Sequence, residues 1–311
     1  MNKSTPNSED NNIDHTTIPD EIYSPDFLGD CVEGNITEYL SAFNAMDRVS
    51  PQYQKRAINC LRYVSNDPFT KHYTEQTRVA LNLRQGDRVF DLGCGRGVDL
   101  QAIAEVVTTN GMVYGLDNSS AMVSEANSLH QNTENITIHL ADGERLPFDD
   151  NYFDGGRGIR VLQHVESPES VLREMQRVIK SGGKIVLLDP DWQSLSIVPT
   201  GSLVALSSIS EQVVEASRRT IRNPNVVREL PNLCQSIDLE LSSSTPFVRT
   251  MHSFSDANKF YSLSKCARFL VNSGKLNKNQ CQQWIQACEE ASNKEAFLLT
   301  LTLVMIKIKV A

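Results

Sequence analysis

From residue 88 onward, short apolar runs alternate with stretches in which apolar residues return every three or four positions. Residues 89–92 (Val-Phe-Asp-Leu) predict a short buried strand, followed by Gly93-Cys94-Gly95-Arg96-Gly97 and a helix over 99–107. A second strand is expected over 111–117. Ser119 or Ser120 then caps a helix that runs through Leu129. Residues 136–140 form a third strand, and 152–159 a fourth. The fourth is weak because Gly155, Gly156 and Gly158 lack side chains to pack. A helix over 171–179 stops at Ser181-Gly182-Gly183 and gives way to a fifth strand over 184–189. That strand has no polar alternation, so both of its faces are covered. Strand and helix in this order define an α/β sheet of mostly parallel strands.

The flanks read differently. Residues 36–64 are helical, Asn66-Asp67-Pro68 is a turn, and 77–83 end another helix. After Asp189 the alternation stops. Residues 194–230 and 256–292 read as helical, 247–254 as a strand, and 297–310 as a long β-rich run. The expected organisation is a tail over 1–34, an N-terminal helical cap over 35–83, and a ligand-binding domain over 84–311 with helical insertions near 194–230 and 256–292. Residues 36–83 and the two insertions are expected to close over the acceptor as a lid. The stripe Leu203, Leu206, Ile209 and Val213 would suit a partly apolar small molecule, or plain core packing.

Charge sharpens this division. The chain has 311 residues, 30 Lys+Arg and 38 Asp+Glu, a net −8. The first 34 residues carry a net −7 and read as disordered, so the body is close to neutral. A near-neutral body without a basic, aromatic groove speaks against nucleic acid as a partner. No secretory signal opens the chain, and no apolar run is long enough to span a membrane. Seven scattered cysteines without a Cys-x-x-Cys pair suit reduced thiols in a cytoplasmic protein. Cys281 and Cys288 share a helix face with Trp284 and read as core.

The chemistry concentrates at the glycine loop. Glycines at a strand-to-helix junction let a ligand lie against the main chain. The spacing is Gly-x-Gly-x-Gly, with Val98 where a dinucleotide binder has its last glycine. Asp91, two residues before the loop, is poor company for a pyrophosphate. At 4–5 Å the repulsion is about 3–4 kcal/mol at an effective dielectric near 20. A carboxylate there suits a ligand with an ammonium group, and a buried acid needs a partner. S-adenosylmethionine (SAM) has that ammonium, a sulfonium, a carboxylate for loop amides, and an adenosine. Asp117 ends the second strand, where an acid accepts from ribose hydroxyls, although it could also cap a helix. Asp142-Gly143 follows the third strand, placed to accept from an adenine amino group or simply to make a turn. Met122 and Phe148 could contact the base.

These stretches, with Leu116-Asp117-x-Ser-x-x-Met122, Asp142-Gly143-x-x-Leu146-Pro147-Phe148, Phe153-Asp154, Leu162-x-His164-Val165 and residues 172–183, resemble the class I SAM-dependent methyltransferases. The match covers about residues 89–192 and is similar to the ubiquinone/menaquinone-type small-molecule branch. The resemblance implies a Rossmann-like seven-stranded sheet in the order 3-2-1-4-5-7-6, with the last strand antiparallel. It implies that Asp91, Gly93, Cys94 and Gly95 line the methionine part of SAM. Asp117 and Asn118 would meet the ribose, and Asp142, Gly143 and Met122 the adenine. Ile159 and Arg160 match positions that often touch the cofactor. The product would be S-adenosylhomocysteine (SAH). Gly155-Gly156 departs from the family pattern and would loosen the strand or admit a ligand.

Methyl transfer to a small acceptor by in-line displacement needs mainly orientation and desolvation. His164 is the nearest candidate for a general base, with a packing role as the alternative, and His252 is weaker. Trp192 would wall the acceptor pocket or be a structural tryptophan. Asp189 and Asp191 are too few acids to claim a metal. Two other readings stay open: a non-catalytic SAM-binding regulatory protein, and a nicotinamide-dependent oxidoreductase, against which Asp91 and Val98 argue. A homodimer is compatible with all of these.

Overall fold

The computed structural model describes Asp47 and residues 51–310, so the acidic tail and the first part of the N-terminal helical stretch lie outside the described residues. Two helices lead in, α1 (Pro51–Asn66) and α2 (Pro68–Leu81). Asp67 separates them. It caps α2 by accepting from the Thr70 amide at 2.8 Å and pairs bidentately with the Arg249 guanidinium at 2.8 and 2.9 Å. Arg249 in turn lies 3.9 Å from the Phe260 ring centroid, so one buried cation ties the entry of α2 to the far edge of the sheet.

The strands are β1 (Arg88–Leu92), β2 (Met112–Asp117), β3 (Ile136–Leu140), β4 (Phe153–Ile159), β5 (Ile179–Ile197), β6 (Glu240–Met251) and β7 (Leu299–Lys309). They form one sheet in the order β3-β2-β1-β4-β5-β7-β6. The pairs among β1 to β5 are parallel, and β7 runs antiparallel to both its neighbours. This is the expected α/β Rossmann-like order.

Helices α3 (Leu100–Val107), α4 (Ser120–His130) and α5 (Pro168–Val178) connect the first five strands. Beyond β5 come a 3₁₀ turn (Gly201–Leu206), α6 (Ser207–Arg218), α7 (Val226–Ser236), α8 (Phe254–Tyr261), α9 (Leu263–Asn272) and α10 (Lys278–Asn293). Ser119, rather than Ser120, caps α4.

Both faces of the sheet are covered, and the strand side chains alternate between two cores. Val89, Val186 and Leu188 join the core beneath α2, α3, α6 and α8–α10, while Phe90, Leu92, Ile185 and Leu187 join the core beneath α5 and α7.

The helical expectation after Asp189 changes in part, and the core reading of the Leu203 stripe holds. Residues 194–197 are strand, because β7 continues to pair with β5 past Asp189, through Asp191↔Thr302 and, after a register shift, Ser196↔Thr300. The stripe of Leu203, Leu206, Ile209 and Val213 belongs to the core. Leu203 and Val213 are fully buried against α9 and α10, and Trp284 there donates to Ser210 Oγ at 2.9 Å. Cys281 and Cys288 are core residues as read.

The glycines of β4 have a packing reason. A Cβ on Gly156 would stand 2.2 Å from the Phe90 ring. That ring packs edge-on against Phe153 at 4.8 Å, so the missing side chain admits an aromatic from β1 and not a ligand. The Gly156→Ala variant is expected to lose about 1–3 kcal/mol or more by overpacking, measured as a lower urea midpoint with an unchanged slope.

Candidate functional site

A cavity of about 930 Å³ opens at the carboxyl ends of the central strands. The glycine loop forms one wall. It turns through φ of 65°, 55° and 71° at Gly93, Gly95 and Gly97. Gly93 is doubly constrained, since a Cβ there would also stand 2.5 Å from Val161 Cγ2. The amides of Cys94, Gly95 and Gly97 already donate to Leu116 O, the Asp117 carboxylate and Cys94 O. Three of the loop's amides are therefore committed to the fold, which narrows the set that could meet a ligand carboxylate.

Asp117 is buried at the end of β2. It accepts from Gly95 N at 2.8 Å and Ser119 N at 3.0 Å. Burial raises its pKa, and those two amide bonds oppose the rise. Its turn-capping role and its place on the cavity wall therefore coexist. Ser119 and Ser120 also meet the Asp47 carboxylate, at 2.9 Å from Ser119 Oγ and 2.8 Å from Ser120 N. Asp142 is exposed and accepts from Glu144 N at 3.0 Å in a tight turn, still on the cavity wall. Met122 is buried beside Ala57 and lines the cavity. Phe148 does not line it. Its ring joins an aromatic cluster with Tyr114, Tyr152 and Phe153 instead. Cys94 lines the cavity, and burial together with Asp117 and Asp91 pushes its thiol pKa well up, so it stays protonated.

Asp91 has a protein partner that the sequence reading missed. Arg157, fully buried in β4, donates from Nε to Asp91 Oδ1 at 2.9 Å and from NH2 to Oδ2 at 2.7 Å. Its NH1 reaches Asp99 Oδ2 at 2.5 Å and Thr77 Oγ1 at 3.2 Å, and Arg78 also pairs with Asp99. Burial works against the Arg157 charge, but Asp91 and Asp99 more than offset it and raise its pKa above the ordinary value. The available signal was a lone arginine inside a buried strand.

Arg157 does not exhaust Asp91. A carboxylate has about four acceptor positions, and a bidentate arginine uses two. At this end Asp47, Asp91, Asp99, Asp117 and Asp142 outnumber Arg78, Arg96 and Arg157, so the wall carries an excess of acids. That excess suits the ammonium and sulfonium of SAM.

The other end of the cavity is built from Cys60 and Tyr73 of the lead-in helices, Ile159 and Arg160 at the end of β4, His164, Trp192 and Tyr261. Among these, Cys60, Tyr73 and Tyr261 were not anticipated. Trp192 is buried, donates to Gln163 Oε1 at 2.8 Å and lies edge-on to Tyr261 at 6.1 Å, so the wall and structural readings both hold. His164 has its pKa lowered to about 3 by burial, with Arg160 and Arg222 adding to the effect. A base so far below neutral pH is mismatched to proton removal. His252 is exposed and does not line the cavity.

Behind this wall, Asp189 accepts from the Leu162 and Gln163 amides, both at 3.3 Å. Asp191 is taken bidentately by Arg228 at 2.9 and 3.0 Å. Among the described residues, no helix is long and apolar enough to cross a membrane.

Comparison with known proteins agrees with this geometry. A family model described as a methyltransferase domain matches residues 83–230. A demethylmenaquinone methyltransferase of Geobacillus sp. (strain WCH70) is 30% identical over 226 residues, covering 66% of this chain and 95% of that one. An uncharacterized 37.1 kDa protein in transposon Tn4556 of Streptomyces fradiae is 32% identical over 228 residues, 73% of this chain. The chain spans just under two thirds of that protein, 65%. The crystal structure of the YcgJ protein from Bacillus subtilis superposes with a TM-score of 0.52 at 17% identity, over 77% of this chain and 98% of that one, and shows the shared fold. The chain belongs to the class I SAM-dependent methyltransferases. Within that class it is of the ubiquinone/menaquinone type, and its cofactor is SAM.

Two outcomes follow from the pairings. Asp91→Asn keeps the shape and removes the charge, so SAM affinity by calorimetry should fall about tenfold or more. Asp91→Ala strips a partner from a buried guanidinium and should also cost about 3–5 kcal/mol of stability. Asp189 supplies the pH test. Burial pushes its carboxyl from 3.8 up to about 7, against the opposing amide bonds and Arg160. Its contribution to stability is therefore full below the unfolded pKa and lost as pH rises through the folded one. Melting temperatures measured from about pH 4 to pH 8 should move in favour of the Asp189→Asn variant relative to wild type.

Proposed function

We propose that this chain transfers the sulfonium methyl group of SAM to a small organic acceptor by in-line displacement. The observation that carries the reading is one continuous cavity with two unlike ends. Strand-end carboxylates and the glycine loop line one end, and aromatic side chains, Arg160 and His164 line the other. At about 930 Å³ it lies near the top of the range of roughly 300–1,000 Å³ usual for small-molecule sites, which favours two occupants over one.

The cofactor, when bound, supplies a methyl group that is already activated. Asp91, with Gly93 and Gly95, would hold the methionine portion, Asp117 and Asn118 the ribose, and Asp142, Gly143 and Met122 the adenine. Ile159 and the Arg160 backbone lie where the two ends meet. The protein's own contribution is alignment and exclusion of water. Trp192, Phe260 and Tyr261 present flat apolar surface to the acceptor. His164, neutral at working pH, serves as a wall or a hydrogen-bonding group and takes no proton in the reaction. The relatives named demethylmenaquinone methyltransferases make a ring-bearing acceptor the first class to try.

The test is SAH formation by the full chain with SAM and a panel of aromatic and phenolic acceptors. SAH above the acceptor-free background supports the reading. SAM binding with no SAH across the panel would instead indicate a regulatory SAM-binding protein.

A further inference from the structure

We propose that the acceptor is a small organic acid, and that the Arg160 side chain anchors its anionic oxygen group. This rests on the methyl-transfer reading and names the substrate class for that site.

Arg160 follows β4 directly, and its amide donates to Leu188 O at 2.6 Å. Its backbone sits at φ 59°, a left-handed conformation that costs a non-glycine residue energy. It lines the cavity, and it shares a small pocket with Tyr73, Trp192 and Tyr261.

A buried guanidinium ordinarily meets a carboxylate, as Arg157 does with Asp91 and Arg249 does with Asp67. Arg160 differs. Among the described residues it forms no ion pair within 4.0 Å, and its Nε is buried without a hydrogen-bond partner. Its electrostatic neighbours are the Tyr73 and Tyr261 hydroxyls and the Cys60 thiol, and burial pushes the pKa of Tyr261 and of Cys60 up. Asp189 also acts on it, but that carboxyl is committed to two backbone amides and does not line the cavity.

The other cations near this end are Lys265, which is buried and acts on the Cys60 thiol, and two side chains that face acids. Arg222 faces Glu166 at 3.7 Å, and Lys259 faces Asp256 at 3.2 Å. The cavity thus carries a negative excess where a cationic cofactor lies and an uncompensated cation where the acceptor lies. An acid whose ring packs against Trp192 and Tyr261 satisfies both the apolar wall and the guanidinium.

The probes are 2-naphthoate and its neutral amide, 2-naphthamide, titrated by calorimetry into the full chain alone and with saturating SAH. Naphthoate should bind at least about tenfold more tightly than naphthamide to wild type. That preference should vanish in Arg160→Gln and persist in Arg160→Lys, whose charge is conserved. Equal binding of the two probes, no binding of either below about 1 mM, or a preference that survives in Arg160→Gln would overturn the proposal. So would an Arg160→Gln variant that loses SAH affinity without changing the probe preference, which would assign the side chain to the cofactor's own carboxylate. If SAH does not bind wild type, the methyl-transfer reading fails by itself. The probe preference still decides the anion site.

Discussion

A single guanidinium, that of Arg157, holds the cofactor end of this protein together. Removing such a group from water costs several kcal/mol, which is regained only if its donors are satisfied and its charge is matched. Arg157 meets both conditions. Its fork grips Asp91 on β1, and its remaining donors reach Asp99 at the start of α3 and Thr77 on α2. The strand before the glycine loop, the helix after it and a lead-in helix are thereby locked to β4. The place of the loop in space is a consequence of that pairing as much as of its glycines.

The same pairing explains how several acids can stand at one sheet edge. Asp91, Asp99 and Asp117 would repel one another strongly in a low-dielectric pocket. Arg157 and Arg78 neutralise most of that charge before any ligand arrives, leaving a modest negative excess. A cation can then bind without having to offset the whole repulsion, and without it the fold still tolerates its own charges. The buried Cys94 thiol sits in this field and is held protonated by it, which keeps a reactive thiolate away from an alkylating cofactor.

Much of this was legible in the sequence because local pattern and tertiary role coincide. Apolar strands covered on both faces, a Gly-x-Gly-x-Gly turn and acids at three strand ends are local signals, and the strand order followed from the resemblance they carry. What escaped depends on contacts between distant segments. Asp91 looked like an acid in need of a ligand because its partner lies 66 positions along the chain. Gly156 in β4 looked like weakness because Phe90, which fills its place, comes from another strand. The length of β5 is set by β7, more than a hundred residues later.

Cationic side chains in this fold are also sorted by what they are paired with. Arg249 and Arg157 each bridge remote segments through bidentate carboxylate pairs, and in each the charge is spent on the fold. Arg160 stands at a strand end without such a partner, and its neighbours are two tyrosine hydroxyls and a thiol. Its field is strong enough to help keep His164 deprotonated, which removes the obvious base from the acceptor end. An enzyme that needed a general base there would gain from the opposite arrangement, with a carboxylate beside the imidazole raising its pKa. The observed pattern suits an acceptor that arrives already ionised, or whose nucleophile needs no deprotonation. On the proposed reading, the demand on the protein is to hold a cationic cofactor and an anionic acceptor in line.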